Sequence, residues 1–277
     1  MKIIRHLLHG SDGKPVSFVS TPNKGGQFVA GFPKYLIMHY TAATTEKSAI
    51  TWFANKMAKA SAHLLIDRDG SITQFAPFNI ITWHAGESQW AGLNGLNKHS
   101  IGIELVNGGR LQKTAGNFVC AVDKKVVPDN EVMIARHKNE QAEFPWHTYT
   151  SLQLEVSTEV SALLIKTYSL IDVLGHEDIS PFRKSDPGPA FPMGSFRSKV
   201  MGRKSDALDI FFTSTEVNIR SGAGTQFVTV TEKPLPLNTK VEVHKRDGNW
   251  SFVSVLQKVG ALNDVEGWVF SKFLVQR

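Results

Sequence analysis

The stretch LGHEDISPFRKSDPGPAF, residues 174–191, sets one histidine, three carboxylates and two bases among three prolines. Proline fixes φ, removes a backbone donor and turns the preceding residue away from the helical region. DISPF and DPGPAFP therefore predict a rigid irregular loop, neither helix nor strand. Such a loop, just past a helix, is a good place to fix a set of ligands. His176 and Asp186 are side chains that zinc accepts, and catalytic zinc takes three protein ligands and keeps a fourth position open. The third ligand must come from elsewhere. His39 is the best candidate, because it ends an apolar run where another core side chain is expected. A lone histidine is more often an ordinary hydrogen-bonded residue; the combination is what points to a metal. HEDI superficially matches the start of an HExxH metalloprotease motif, but position 180 is Ser180 and the second histidine is absent.

Outward from this loop the chain alternates strand and helix signals. KYLIMHYTAATT (34–45) reads as a buried strand running into a polar loop. EKSAITWFANKMAKA (46–60) places Ala49, Trp52, Phe53 and Met57 at helical spacing, with Thr45 as N-cap. SAHLLIDRDGSITQFAP (61–77) is a hairpin around Asp69-Gly70. SIGIELVN (100–107) is a further strand. TSLQLEVSTEVSALLIKTYSL (150–170) is a helix with Leu152, Val156, Val160, Leu163 and Thr167 on one face. Residues 108–145 are polar and mixed, a long excursion of the kind that is often functional or mobile.

Beyond about residue 203 the texture changes. EVNIRSGAGTQFVTV, TKVEVHKRDGNWSFVSV and GWVFSKFLV are short alternating runs split by Gly, Asn and Asp turns. They predict a small all-β barrel over residues 208–277, joined by a linker near 199–207. The first domain then covers residues 1–200.

Composition narrows the partners. The 277 residues are long enough for one large domain or two smaller ones, and the net charge of +6 favours an anionic partner. Dense Lys/Arg blocks interleaved with aromatics are lacking, so nucleic acid is not expected. Stretches approaching twenty apolar residues are also lacking, so no membrane span is expected. The single cysteine, Cys120, excludes an intramolecular disulfide and a Cys-based zinc site. The N-terminus is a poor signal peptide, with His6, His9 and Asp12 breaking its apolar patch. The expectation is a protein made in the cytoplasm, with no obligate protein partner evident.

The motifs IMHYTA (with His39), SAHLLIDRDGSITQFAP, TWHAG (with His84), SIGIEL (with Glu104) and GHEDISPFRKSDPGPAFP, taken together, resemble the zinc-dependent N-acetylmuramoyl-L-alanine amidases. That superfamily shares its fold with peptidoglycan recognition proteins and phage lysozyme-type amidases. The pieces stand in the family's order between residues 35 and 193, and resemble the branch whose third ligand is Asp. The resemblance implies an α/β fold with a central mixed β-sheet flanked by helices, and one Zn²⁺ per chain on His39, His176 and Asp186. It implies Glu104 as general base; a strand glutamate between Ile103 and Leu105 is costly unless it faces a cleft. Lys184, two residues from Asp186 in an extended loop, would share its side and stabilise an oxyanion. Trp83 and His84 would line the substrate groove. His63 is expected to be structural, and Arg183 and Asp178 to brace the loop.

The C-terminal pieces NIRSGAG and GWVFSKFL resemble bacterial SH3-like (SH3b) domains attached to cell-wall hydrolases. Of Trp250, Phe252 and Trp268, two are expected in the barrel's own core. The combined expectation is a cell-wall hydrolase that acts on peptidoglycan or muropeptides at the amide between N-acetylmuramic acid and L-alanine. The alternative on the same fold is a recognition protein that binds muropeptide without cutting it. Such relatives lack a ligand, whereas here every ligand position is filled.

Overall fold

The computed structural model describes residues 1–202, 210–260 and 265–275. It divides into two compact units, Met1–Met201 and Gly202–Arg277. The expected linker near 199–207 lies partly outside the described residues.

The first unit is built on a six-stranded mixed sheet. Its strands are β1 (Ser17–Phe18), β2 (Tyr35–Tyr40), β3 (Leu64–Ile66), β4 (Ile72–Gln74), β5 (Ser100–Leu105) and β6 (Asp172–Gly175), in the order β6-β2-β5-β3-β4-β1. β6, β2, β5 and β3 run parallel, whereas β3 and β4 form the antiparallel hairpin around Gly70. Alternation along each strand divides two faces. Leu36, Met38, Ile101, Ile103 and Val173 pack with Val160 and Leu164 of α2 (Ser151–Tyr168) and Phe196 and Val200 of α4 (Met193–Met201). Each such buried aliphatic contributes about 1.5–3 kcal/mol. On the other face Tyr35, Ile37 and Leu174 join Ala85, Leu96 and Ile179, and Leu65 joins Ala49 and Phe53 of α1 (Glu46–Ala54).

Several elements depart from their expected form. α1 ends at Ala54, because Asn55 turns extended and its side chain accepts the Met57 N–H of a separate 3₁₀ turn, Lys56–Ala58. Trp52 and Met57 are thereby 55% and 79% exposed, leaving Ala49 and Phe53 as the buried pair. Thr45 occupies the N-cap position of α1 without a capping hydrogen bond. In α2, Thr150 does cap, accepting the Gln153 N–H. The buried stripe of α2 is rotated from the expected one: Gln153, Ser157, Val160, Ser161 and Leu164 face inward, whereas Leu152 and Thr167 are exposed. Two of the three polar members of that stripe find partners, and Ser157 Oγ donates to the Gln153 carbonyl at 2.6 Å. Gln153 Nε2 donates to the carbonyls of Ile66 and Val106 at 3.1 Å each, satisfying the ends of two strands.

The stretch expected to be an irregular loop is more ordered at its start. Residues 172–175 form β6, and α3 (His176–Ile179) is one helical turn. Residues 108–145 are also ordered. They contribute a three-stranded sheet (Leu111–Thr114, Asn117–Cys120, Val126–Val127) and, with residues 146–147, an antiparallel pair, Val132–Arg136 with Glu143–His147.

The described residues of the second unit include a sheet of five antiparallel strands, β7 (Ile210–Thr213), β8 (Lys240–Asp247), β9 (Trp250–Val255), β10 (Glu266–Phe270) and β11 (Leu274–Val275), in the order β10-β9-β8-β7-β11. Its core is valine-rich, with Val241, Val243, Val253, Val255 and Val269. Trp250, Phe252 and Trp268 are not in that core. They lie half-buried in the opposite register positions, where Trp250 packs on Phe270 and Phe252 on Trp268. Period-two alternation explains this, because the intervening valines already fill the inside.

Candidate metal centre

The site lies at the C-terminal ends of three adjacent parallel strands. Glu104 of β5 is in register with His39 of β2, so the two side chains share a face. Gly175 of β6 is in register with Met38, which brings His176, the next residue, level with His39. The loop after α3 returns Asp186 to the same point, and the Glu177 N–H donates to the Asp186 carbonyl at 2.9 Å.

His39 Nδ1 lies 3.0 Å from His176 Nδ1 and 2.9 Å from Asp186 Oδ2, and His176 Nδ1 lies 2.9 Å from the same oxygen. The far side of each ring decides what those atoms carry. His176 Nε2 lies 3.1 Å from the Ala85 carbonyl, which can only accept, so that nitrogen holds the ring proton. His84 Nε2 faces the Ser100 carbonyl and hydroxyl at 3.3 Å, and the hydroxyl gives its own proton to the Leu96 carbonyl. His84 Nε2 is therefore a donor and its Nδ1 an acceptor. That Nδ1 receives the proton of His39 Nε2 at 3.0 Å. In the neutral rings both Nδ1 atoms are then bare lone pairs facing a carboxylate. Three acceptors at this spacing repel one another unless a cation sits among them. The donor set N, N, O suits zinc, whose tetrahedral ligands stand about 3.3 Å apart for bonds of about 2.0–2.1 Å.

Electrostatics favour a neutral His39. Burial, then the neighbouring His176, lowers the pKa of His39 to about 4. Burial alone would raise that of Asp186, but His176 and His39 outweigh it and hold the carboxyl well below its ordinary range. Burial, then Asp186, pushes Glu104 up to about 8, with Lys184 opposing. Glu104 Oε2 is buried without a hydrogen-bond partner, an orphan that calls for a functional reason. The Lys184 charge acts on both Glu104 and His39, and Lys184 forms no ion pair among the described residues.

The remaining expected site residues divide. Trp83 is 37% exposed and available to a ligand. His84 does not line a groove: it is 7% exposed and both of its ring nitrogens are occupied, so its place is behind His39. His63 is buried, with Nδ1 accepting the Gly102 N–H and Nε2 donating to the Ile80 carbonyl. Arg183 Nη2 donates to the carbonyls of Ala85 and Glu87, and Asp178 accepts the Gly175 N–H, so both brace the loop.

One residue overlooked in the sequence explains the place of His84. A Cβ on Gly102 would lie 2.4 Å from His84 Cγ, so only glycine lets the imidazole lie on β5. A glycine inside a strand is the sequence signal for such an approach. Gly102→Ala is expected to destabilise the protein by about 1–3 kcal/mol through overpacking. It should also weaken zinc binding, because His84 must leave His39. Thermal melts and zinc titration check this; unchanged zinc affinity would remove His84 from the metal's support.

The N-acetylmuramoyl-L-alanine amidase family model matches residues 30–189, more than half of the chain. The chain belongs to that family. It is 36% identical over 144 residues to the 1,6-anhydro-N-acetylmuramyl-L-alanine amidase AmpD of Escherichia coli (strain K12), covering 51% of this chain and 59% of that one. It is 31% identical over 200 residues to the N-acetylmuramoyl-L-alanine amidase AmiD of the same strain, covering 67% of this chain and 60% of the relative. The chain thus spans about three fifths of the length of these curated relatives. A crystal structure of a Se-Met AmpD derivative superposes with a TM-score of 0.51 at 26% identity, covering 72% of this chain and 99% of that one.

Proposed function

We propose that this chain is a zinc-dependent hydrolase that cleaves the amide between N-acetylmuramic acid and the L-alanine of the peptidoglycan stem peptide. The observation that carries this reading is the convergence of three proton-free donor atoms beside an unpartnered buried oxygen of Glu104. The AmpD and AmiD relatives are amidases of this bond type by their names. His39, His176 and Asp186 would hold the ion. When bound, zinc supplies a Lewis acid that polarises a carbonyl and lowers the pKa of water.

The chain's own groups handle the protons and the charge. Glu104 takes a proton from the attacking water and returns it to the leaving L-alanine amine. The Lys184 ammonium stabilises the negative charge that develops on the carbonyl oxygen. Trp83 offers an exposed aromatic surface to the substrate. The test is digestion of purified peptidoglycan and of soluble muropeptides, including 1,6-anhydro forms, with mass spectrometry of the products. Release of free stem peptide that stops on chelation and returns with zinc supports the reading. A folded, zinc-loaded protein that binds muropeptide without releasing peptide is instead the recognition protein.

The second unit is proposed as an SH3-like module that binds cell wall. Its own valine core and its half-buried aromatic pairs support this. A tethered binder raises the local concentration of enzyme at a polymer without touching the chemistry. Removing residues 203–277 should weaken cleavage of intact wall and spare turnover of soluble muropeptides. Equal loss on both, in a folded and zinc-loaded truncation, would mean that the unit completes the catalytic site. The proposed site of action is the cell wall.

A further inference from the structure

Residues 108–147 come back to the ligand loop through one charged cluster. His137 and Lys138 follow directly on the strand Val132–Arg136. His137 is buried, and its Nδ1 accepts the Asn139 N–H at 3.2 Å. Nε2 therefore carries the proton and donates to Glu177 Oε2 at 2.6 Å. Lys138 Nζ lies 2.9 Å from Glu177 Oε1 and 2.5 Å from Asp178 Oδ1. Glu177 Oε2 also accepts the Gly188 N–H at 3.2 Å, while the Glu177 N–H is bonded to the Asp186 carbonyl. One buried carboxylate, adjacent to His176, is thus bonded to the excursion and to the loop on the far side of Asp186.

A second contact reaches the same place. Gly188 has φ +74°, and a Cβ there would stand 2.9 Å from Trp146 Cζ3. The indole on the strand Glu143–His147 therefore lies against the backbone just past Asp186. It is held by its own Nε1–H, which donates to the Ala135 carbonyl at 3.0 Å.

We propose that His137 and Lys138 are positioning residues for the metal centre: through Glu177 they fix the backbone that presents His176 and Asp186. The proposal rests on the reading of His39, His176 and Asp186 as a zinc site. The physical reason is the cost of an unpaired buried carboxylate. Without His137 and Lys138, Glu177 keeps only the Gly188 N–H, and a buried charge so poorly matched moves toward water. Glu177 lies between the ligand His176 and the Asp178 that braces Gly175, so its displacement carries both flanks of the ligand loop. Proline stiffens the loop internally but does not fix where it sits; the cluster does that together with Arg183 and the Tyr149 hydroxyl, which donates to the Pro187 carbonyl at 2.8 Å. The excursion then serves the metal as well as the outline of the groove.

The test uses the full chain and the double variant His137→Leu/Lys138→Met. Zinc affinity is read by competition with a chelator, and ligand geometry by the visible absorption of the cobalt-substituted protein. Outer-shell partners of metal ligands typically govern about 10–100-fold in metal affinity. A loss in that range is expected, with a weakened or shifted cobalt spectrum. His137→Gln, which keeps an N–H donor, should recover most of the affinity that His137→Leu loses. The zinc-induced rise in melting temperature should shrink in the double variant, whereas a purely structural role would lower the zinc-free and zinc-bound melts alike. Should the double variant not fold, Lys138→Met alone, at an exposed residue, gives the same comparison with a smaller loss. Wild-type zinc affinity and an unchanged cobalt spectrum in a folded variant would overturn the inference while leaving the zinc site intact. A wild-type chain that binds no zinc would remove the zinc site itself.

Discussion

His176→Ala is expected to leave the protein without zinc by elemental analysis and without amide hydrolysis. His39 and Asp186 would remain, but two donors do not make a site for an ion that takes at least three protein ligands in catalytic centres. The loss extends beyond the ion. His176 is one of the two imidazoles that lie against Asp186, so the variant retains a buried carboxylate with only His39 beside it. Removing one partner of a buried charge set costs about 3–5 kcal/mol. A lower melting temperature than that of chelator-treated wild type should accompany the missing metal. One zinc per chain retained in the variant would move the centre elsewhere.

Glu104→Gln should separate chemistry from metal binding. Turnover is expected to fall by about 10²–10⁴, the usual contribution of a positioned acid–base group, with zinc content unchanged. Near-normal turnover would end the assignment of Glu104 as base. The same variant carries a pH signature in the zinc-free protein. The folded pKa of Glu104 is raised from 4.5 to about 8 by burial and by Asp186. The unfolded chain therefore loses this proton first as pH rises, and the group lowers stability increasingly between about pH 4.5 and 8. Glutamine removes that penalty, so the variant should melt above the parent by a margin that widens from pH 5 to pH 8. An equal margin at both pH values would show that Glu104 is not a buried carboxylate in this state.

The parts of the site carried by strong local patterns were legible in the sequence. β2 and β5 show as apolar runs, and His39 and Glu104 interrupt them at the polar end. The three prolines of residues 174–191 marked a loop with ligand types in it. What escaped depends on contacts distant in the chain. β6 has only four residues, too few to register beside a long helix. Three of the five inward residues of α2 are polar, and one of them, Gln153, serves strand ends that periodicity does not weigh. His84 was misplaced because its role is set by Ser100 and His39, neither of them near it in sequence. Residues 108–145 read as featureless because their charges find partners forty residues away, as His137 does in Glu177.

The order of the strands has a consequence for how the chain comes off the ribosome. His39 and His176 are 137 residues apart, and the edge strand that delivers His176 is the last of the six in sequence. A nascent polypeptide that has emerged only as far as β5 possesses His39 and Glu104 but has no pocket for an ion. Until residue 186 is released and β6 docks beside β2, the segment already made lacks two of the three candidate ligands, His176 and Asp186. An ion held by the folded arrangement alone would, on capture, draw that final docking forward. Zinc uptake during synthesis should therefore occur in a single late event, and a ribosome stalled before β6 should display a metal-free amino-terminal fragment.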